Sequence, residues 1–409
     1  MLNIIWSVFF AIAALSTMWQ WLVLGQSDIF SVVVAEIFSS CKLSVDIAIG
    51  LIGLLCFWLG LMKIADASGI TEKLARFLAP LFSRLMPDVP AGHPAIGSVA
   101  MNVAANMLGL DNAATPMGLR AMRELQTLNP STETITRAQT LFMVLNTAAI
   151  TIFPVTVIMY RLQAGAADPS SVFLPILLAS VIGTIAGLLA VIISLRLPVW
   201  DKVVALYVGG GVLIISLLLM PTYWLPHEQI MIYSSTLGNG ALLLAIVFIV
   251  IYSALKRIAV FDVFIEGAKE GFQLAVSLIP YLVAMLVVIG LLRASGALPL
   301  LLDMIRHGVL WLDWDTQFID ALPTGIMKIF SGSGARAMMI DTLHTKGADS
   351  FAGFASSIMQ GSSETTFYVL AVYGGSVGLK RFGVALPCAL IADVVGIIAA
   401  VLIAYWFYI

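Results

Sequence analysis

"AIGLIGLLCFWLGLMKIADASGI" (48–70) lies over "AVSLIPYLVAMLVVIGLLRASGA" (275–297) with eight identities in 23 positions, and both runs reach Ala-Ser-Gly. Chance in such apolar text gives roughly 3. Lys42 and Lys269 stand at matching places just before the two runs. Further along, Gly118-x-Arg120-Ala121-Met122 returns as Gly334-x-Arg336-Ala337-Met338, each with a glycine nine residues upstream, Gly109 and Gly325. Thr151-x-Phe153-x-Val155 then returns as Thr365-x-Phe367-x-Val369. Three blocks in the same order are an internal duplication.

The text around the duplication is built for lipid. Of the 409 residues 60% are hydrophobic and 11% charged, whereas soluble domains carry about 25% charged residues. A net charge of −2 and the lack of any basic tract argue against nucleic acid as a partner. Cys41, Cys56 and Cys388 are widely separated, and the four histidines are scattered, so neither a disulfide framework nor a zinc motif is spelled out. The opening run "MLNIIWSVFFAIAALSTMWQWLVL" lacks a basic leader and reads as a retained first helix.

A helix needs about 20 apolar residues to cross the hydrocarbon layer. Nine segments qualify: 3–24, 44–66, 137–160, 171–195, 203–220, 229–254, 273–293, 351–373 and 383–408. Residues 71–88 and 297–312 are amphipathic and suit the membrane interface. Residues 93–126 and 319–345 differ again, each being two half-length apolar pieces around a break rich in Gly, Ser, Pro or Asn. Irregular backbone at membrane depth survives only where protein or a water-filled cavity satisfies its amides, so two re-entrant hairpins are expected. An odd number of crossings separates the copies, so they are expected upside down relative to one another. The fold class is therefore an all-α integral membrane protein with about nine transmembrane helices, two re-entrant hairpins and an inverted-topology repeat. An N-inside orientation puts fourteen of the 21 Lys and Arg residues in the cytoplasm, which the positive-inside rule favours. The C-terminus is then outside.

Duplication with broken helices in both copies points to transport, because two inverted halves can rock around a central site. The acid in "FASSIMQGSSETTFYVLAV" (354–372) marks a place for that site. Glu364 falls near the middle of an expected span, four residues after Gln360 and so on its helical face, with Ser363 and Thr365 beside it. A carboxylate at that depth costs several kcal/mol unless paired or hydrated. It reads as a ligand for solute hydroxyl or amine groups, as a protonatable coupling residue, or as a structural acid bonded to a hairpin amide, Lys328 or Arg336. In the first copy the same places hold Ile150 and Asn146, so the scaffold is duplicated and the ionisable chemistry is not. The hairpin tips add Asn106, Asp111, Asn112 and Thr115 from the first copy, and Ser331 and Ser333 from the second. Asp111 with its asparagines could hold a cation or cap a helix beginning near Ala113. Ser331-Gly-Ser-Gly resembles a phosphate cradle, but no Walker-type lysine follows and close hairpin packing explains it as well. No nucleophile–base–acid constellation points to an enzyme.

With these residues in hand, the chain resembles two known families. "FWLGLMKIADASG", "PDVPAGHPAIG" and "ANMLGLDNAATPMGLRAM" resemble the spore maturation protein A family. "SGSGARAMMIDTL" and "SSIMQGSSETTFYVLAVYGGSVGLKRFGVALPCALIADVVGIIAAV" resemble the spore maturation protein B family. The resemblance implies a fusion, residues 1–225 forming one half and 226–409 the other. It departs at "SSCKLSVD" (39–46), where those relatives carry an acidic Gly-Ala-Lys-Glu-like stretch that the second copy keeps as Gly267-Ala268-Lys269-Glu270. Both families fall in a wider group sharing the nucleoside recognition, or Gate, domain, which includes concentrative nucleoside transporters and ferrous-iron permeases. Gln360-Gly361-Ser362-Ser363-Glu364-Thr365 is similar to a Gly-Gln-Thr-Glu tract that contacts solute in nucleoside transporters, in a different order. The expectation is a permease of the bacterial cytoplasmic membrane for a small polar solute, nucleoside-like or an organic anion. It would hold no resident cofactor, with H+ or Na+ as the open choices of coupling ion, and a homo-oligomer is compatible with it. Rival readings are a membrane module that gates or supports another complex, and a metal-ion permease.

Overall fold

The computed structural model describes residues 2–108, 111–197 and 201–408, without the side chains of 2, 111–113, 227 and 228. Within them the chain is helical. In order the helices are α1 (Leu2–Leu22), α2 (Ile29–Ala67), α3 (Ile70–Leu85), α4 (Pro94–Met107), α5 (Asp111–Gln126) and α6 (Arg137–Thr147). Next come α7 (Val155–Gln163), α8 (Phe173–Leu195), α9 (Lys202–Leu219), α10 (His227–Leu255), α11 (Val260–Ala294) and α12 (Ala297–Leu310). The last are α13 (Leu322–Phe330), α14 (Gly332–Lys346), α15 (Phe351–Gly361), α16 (Thr366–Val369) and α17 (Ala385–Tyr408). Among the described residues seven helices are long and apolar enough to cross a membrane: α1, α2, α8, α9, α10, α11 and α17.

The frame is made by the duplicated helices packing on each other. A Cβ on Gly267 of α11 would meet the Leu59 carbonyl at 2.5 Å, and one on Gly271 would meet the Leu55 carbonyl at 2.5 Å. At the far end of α11, a Cβ on Gly290 would lie 2.5 Å from Ser40 Oγ. The partner number on α2 falls as the number on α11 rises, so the two helices run antiparallel with their backbones nearly touching. Without a hydrophobic drive between helices in lipid, such small-residue contacts supply the van der Waals association. The pair α8 and α17 repeats the device: Gly183 lies against Gly396, and Gly187 against Ala392. In each pair a helix of the first copy meets its counterpart from the second in the opposite sense, as inversion requires.

The segments expected as hairpins are helix–break–helix units whose arms pack together, α4 with α5 and α13 with α14. His93 caps α4 by accepting from the Ala95 amide, and Pro94 follows where its missing N–H costs nothing. The second break is a single residue. Ser331 is extended (φ −155°, ψ 116°) and its Oγ accepts from the Gly334 amide, so it closes α13 and caps α14. At about 1.5 Å per residue, the nine residues of α13 reach about half way through a hydrocarbon core of ~30 Å.

The structure corrects the sequence in two places. Segments 137–160 and 351–373, expected as continuous spans, are each interrupted: α6 stops at Thr147 and α7 starts at Val155, while α15 stops at Gly361 and α16 starts at Thr366. Pro154 accounts for the restart of α7, having no N–H to give a preceding turn and disfavouring helix before it. In the second break Gly361-Ser-Ser-Glu-Thr365 is rich in residues that favour other backbone states or bond the backbone locally, as Ser362 does to the Met359 carbonyl. The amphipathic expectations correspond to α3 and α12. No side chain of α12 is buried, and Trp311 and Trp314 stand exposed beside it, where aromatic side chains anchor to the membrane boundary. Helix α9 buries Val204 alone and presents Leu206, Val212, Leu213 and Leu217 outward, a lipid-facing surface.

Candidate functional site

Eight helix ends converge on one cavity of about 750 Å³. The C-terminal ends of α4, α6, α13 and α15 contribute Asn106, Asn146, Lys328 and Gln360 to its wall. The N-terminal ends of α5, α7, α14 and α16 contribute Thr115, Val155, Ser333 and Phe367. Half-helix ends aim uncompensated carbonyls and amides at the space between them, which makes such a meeting point polar without any further charge. The two interrupted spans are joined here directly. The Glu364 amide, in the second break, donates to the Thr147 carbonyl at the edge of the first, at 2.9 Å.

Of the residues singled out from sequence, Asn106, Thr115 and Asn146 line this cavity from the first copy, and Ser331, Ser333, Gln360, Ser363, Glu364 and Thr365 from the second. The side chains of Asp111 and Asn112 lie outside the described residues. One detail of the expectation fails. Gln360 and Glu364 do not share a helical face, because α15 ends between them at Gly361. They face the same cavity because the chain turns there.

The wall is unevenly satisfied. Asn146 is held on both sides, its Oδ1 accepting from Asn106 Nδ2 at 3.0 Å and its Nδ2 donating to the Phe142 carbonyl at 2.9 Å. Gln360 is 8% exposed and its Oε1 finds no partner among the described residues. Thr365 is 2% exposed and its hydroxyl finds none among them either. Glu364 is exposed to the cavity, and no hydrogen bond or ion pair to its carboxylate occurs among the described residues. Unmet buried donors and acceptors cost free energy, and sites that bind solute are where proteins carry that cost. Apolar walls complete the space. Phe330 and Phe367 stack in parallel with centroids 5.5 Å apart, bridging the second hairpin and the second interrupted helix. The Arg336 guanidinium stands over the Tyr160 ring at 5.8 Å. Among the described residues no three His, Cys, Asp or Glu side chains group as a metal site.

Two groups around the cavity are absent from the sequence reading. Asp393 of α17, 2% exposed, accepts a 2.6 Å hydrogen bond from the Thr366 hydroxyl at the start of α16, and the Lys328 charge acts on it. Asn102 of α4 donates to the Ala114 carbonyl at 2.8 Å and so joins the arms of the first hairpin. An acid inside the apolar run "CALIADVVGIIAAV" is a legible signal, since ionisable residues are rare in spans. Nothing in the sequence distinguishes Asn102 from other small polar filler.

Fold and cavity together define an all-α, multi-pass membrane protein whose centre is built from interrupted helices. The nucleoside recognition family model, named Gate, matches residues 48–163 and again 275–380, more than half the chain, so the chain belongs to the Gate family. The two matches coincide with the two copies of the duplication. Spore maturation protein B of Bacillus subtilis (strain 168) is 40% identical over 155 residues, 38% of this chain and 85% of that protein. Spore maturation protein A of the same organism is 39% identical over 153 residues, 37% of this chain and 78% of that protein. No solved structure matches.

Proposed function

We propose that the protein is a permease of the cytoplasmic membrane that carries a small polar solute, nucleoside-like or an organic anion, through this cavity by alternating access. The observation that carries the reading is the meeting of the arms of both hairpins and both interrupted helices at one cavity, with equivalent elements contributed by two inverted copies. If the first copy moves against the second, the same wall faces first one side and then the other. Residues 1–225 and 226–409 are then the moving halves, with the N-terminus inside and the C-terminus outside. Gln360 and Glu364 hold the solute's donors, and Asn106, Asn146, Thr115, Ser331, Ser333, Ser363 and Thr365 shape and wet the site. Asp111 and Asn112 belong to the first tip. H+ or Na+ would couple the cycle.

The test needs no knowledge of the solute. Cys41, Cys56 and Cys388 are replaced by serine or alanine, and Ser363→Cys is placed in the cavity wall. Membrane-impermeant maleimide is then applied to vesicles of each orientation. Labelling from both sides is the expected result. Labelling from one side alone sinks the permease and favours a module that supports another complex.

A further inference from the structure

The duplication makes one contact twice. Aligning the copies on Thr151 and Thr365 sets Thr136 on Ser350, and each caps the helix that leads in to a break. Thr136 Oγ1 accepts from the Gln139 amide at the start of α6, and Ser350 Oγ accepts from the Gly353 amide at the start of α15. The residues just before these caps, Ile135 and Asp349, both reach the other copy. Asp349 Oδ2 accepts from the Ala167 amide, beyond the end of α7, at 2.8 Å. The Ile135 amide donates to the Arg381 carbonyl, beyond α16, at 3.1 Å. The same alignment sets Ala167 on Arg381, so two straps join the copies at equivalent places. One stands before α6 and the other after α7, which are the two halves of one span, so the straps lie at opposite membrane faces.

The straps tie down the outer ends of the interrupted helices whose inner ends wall the cavity. A motion of one copy against the other that opens the cavity to a face has to part the strap at that face. The two are chemically unequal. At the Ile135 strap the Glu133 carbonyl accepts from the Lys380 and Arg381 amides, each at 2.9 Å, and the Glu133 carboxylate pairs with Lys380. Both of those side chains are well exposed, so water replaces most of what parting removes. At the Asp349 strap the buried Arg161 donates to the Ala348 carbonyl at 2.8 Å and pairs with Asp349 at 3.3 Å. The Tyr408 hydroxyl also holds the Asp349 carbonyl, at 2.8 Å. Asp349 is half exposed, but the guanidinium it meets is dry and lies 5.9 Å from the Phe354 ring. Hydrogen bonds to charged groups are the stronger kind, more so where water is excluded.

We infer that the straps are the two gates of the permease, and that the Arg161–Asp349 strap is the firmer. The cavity then opens by preference to the face of the Glu133–Lys380 strap, which is cytoplasmic with the N-terminus inside. This rests on the permease reading and adds to it which face the resting protein serves. The gate residues act on the balance between states and not on the solute.

Rates of maleimide labelling at Ser363→Cys, in the otherwise cysteine-free full-length protein and in vesicles of each orientation, test it. With both straps intact, labelling is faster from the face of the Glu133–Lys380 strap. Asp349→Ala raises the rate from the opposite face about tenfold and lowers it from the first, because the two open states compete. General loosening of the fold raises both rates instead. Lys380→Glu, which repels Glu133, moves the ratio the other way. Asp349→Asn keeps an acceptor for the Ala167 amide without the charge, and gives a smaller shift in the same direction if Asp349→Ala fails to fold. A ratio unaltered in these variants, or a rise from both faces alike, overturns the inference. Two-sided labelling with a ratio indifferent to the straps sinks the gates and leaves the permease standing, whereas one-sided labelling throughout sinks both.

Discussion

At the scale of residues, the cavity wall separates side chains left open from side chains that brace. Glu364 is exposed to the cavity and has no described partner, so its charge contributes little to the fold. On the permease reading Glu364→Gln is expected to abolish transport, and it should change unfolding free energy by less than about 0.5 kcal/mol; thermal melts of the two proteins check the second point, and a large loss of stability would return the acid to a structural role. Thr366 is the reverse case. It gives the buried Asp393 carboxylate a 2.6 Å hydrogen bond. Thr366→Val leaves that acid unmet and should cost about 1–3 kcal/mol, with Thr366→Ser close to neutral. Equal melting of the valine and serine variants would mean that the bond holds nothing. Most of the wall was legible in the sequence because polar residues in apolar text stand out. Asp393 is equally visible there. Its hydrogen bond was not visible, since twenty-seven positions separate it from Thr366.

At the scale of elements, length and hydropathy identify a span but do not show whether it is whole. Averaging over about 20 residues hides an interruption of four to seven. Pro154 and the Gly-Ser-Ser tract near 361–363 are the local signals of the two breaks. What fixes the breaks is tertiary, as in the Glu364 amide that leaves its own helix to bond Thr147. The long helices carry a different constraint. Gly267→Leu forces apart backbones already in contact at the α2–α11 crossing and is expected to cost about 1–3 kcal/mol or more. Gly209→Ala in α9, where an added Cβ meets nothing within 4 Å, should be neutral or stabilising by up to about 1 kcal/mol. Melting curves for the pair decide it. Equal tolerance would show that the close approach is not what joins the copies.

At the scale of the whole molecule, charge pairs hold the two copies together and differ in worth. Lys63 of α2 and Glu270 of α11 are 2.7 Å apart, but both are more than a third exposed. Exposed pairs contribute about 0–1 kcal/mol, so Lys63→Ala should be nearly silent. Arg161 of α7 is 1% exposed and reaches into the second copy, donating to the Ala348 carbonyl at 2.8 Å and pairing with Asp349 at 3.3 Å. Asp349→Ala removes the ion-pair partner of that buried guanidinium and should cost about 2–3 kcal/mol, less than a fully buried pair because Asp349 is half exposed. Chemical unfolding of both variants tests the ranking, and a costlier Lys63→Ala would reverse it.

By itself the sequence determined that this chain lives in a membrane, contains itself twice and breaks its backbone in both hairpins. Each of these follows from local composition, spacing or self-similarity, which are properties of the text. Only the tertiary structure decided that two further spans are interrupted, that counterpart helices run antiparallel in contact, and that eight helix ends share one cavity. Those facts depend on which distant backbone satisfies an open amide or carbonyl, and hydrogen bonds across 200 residues leave no mark on the stretch that makes them.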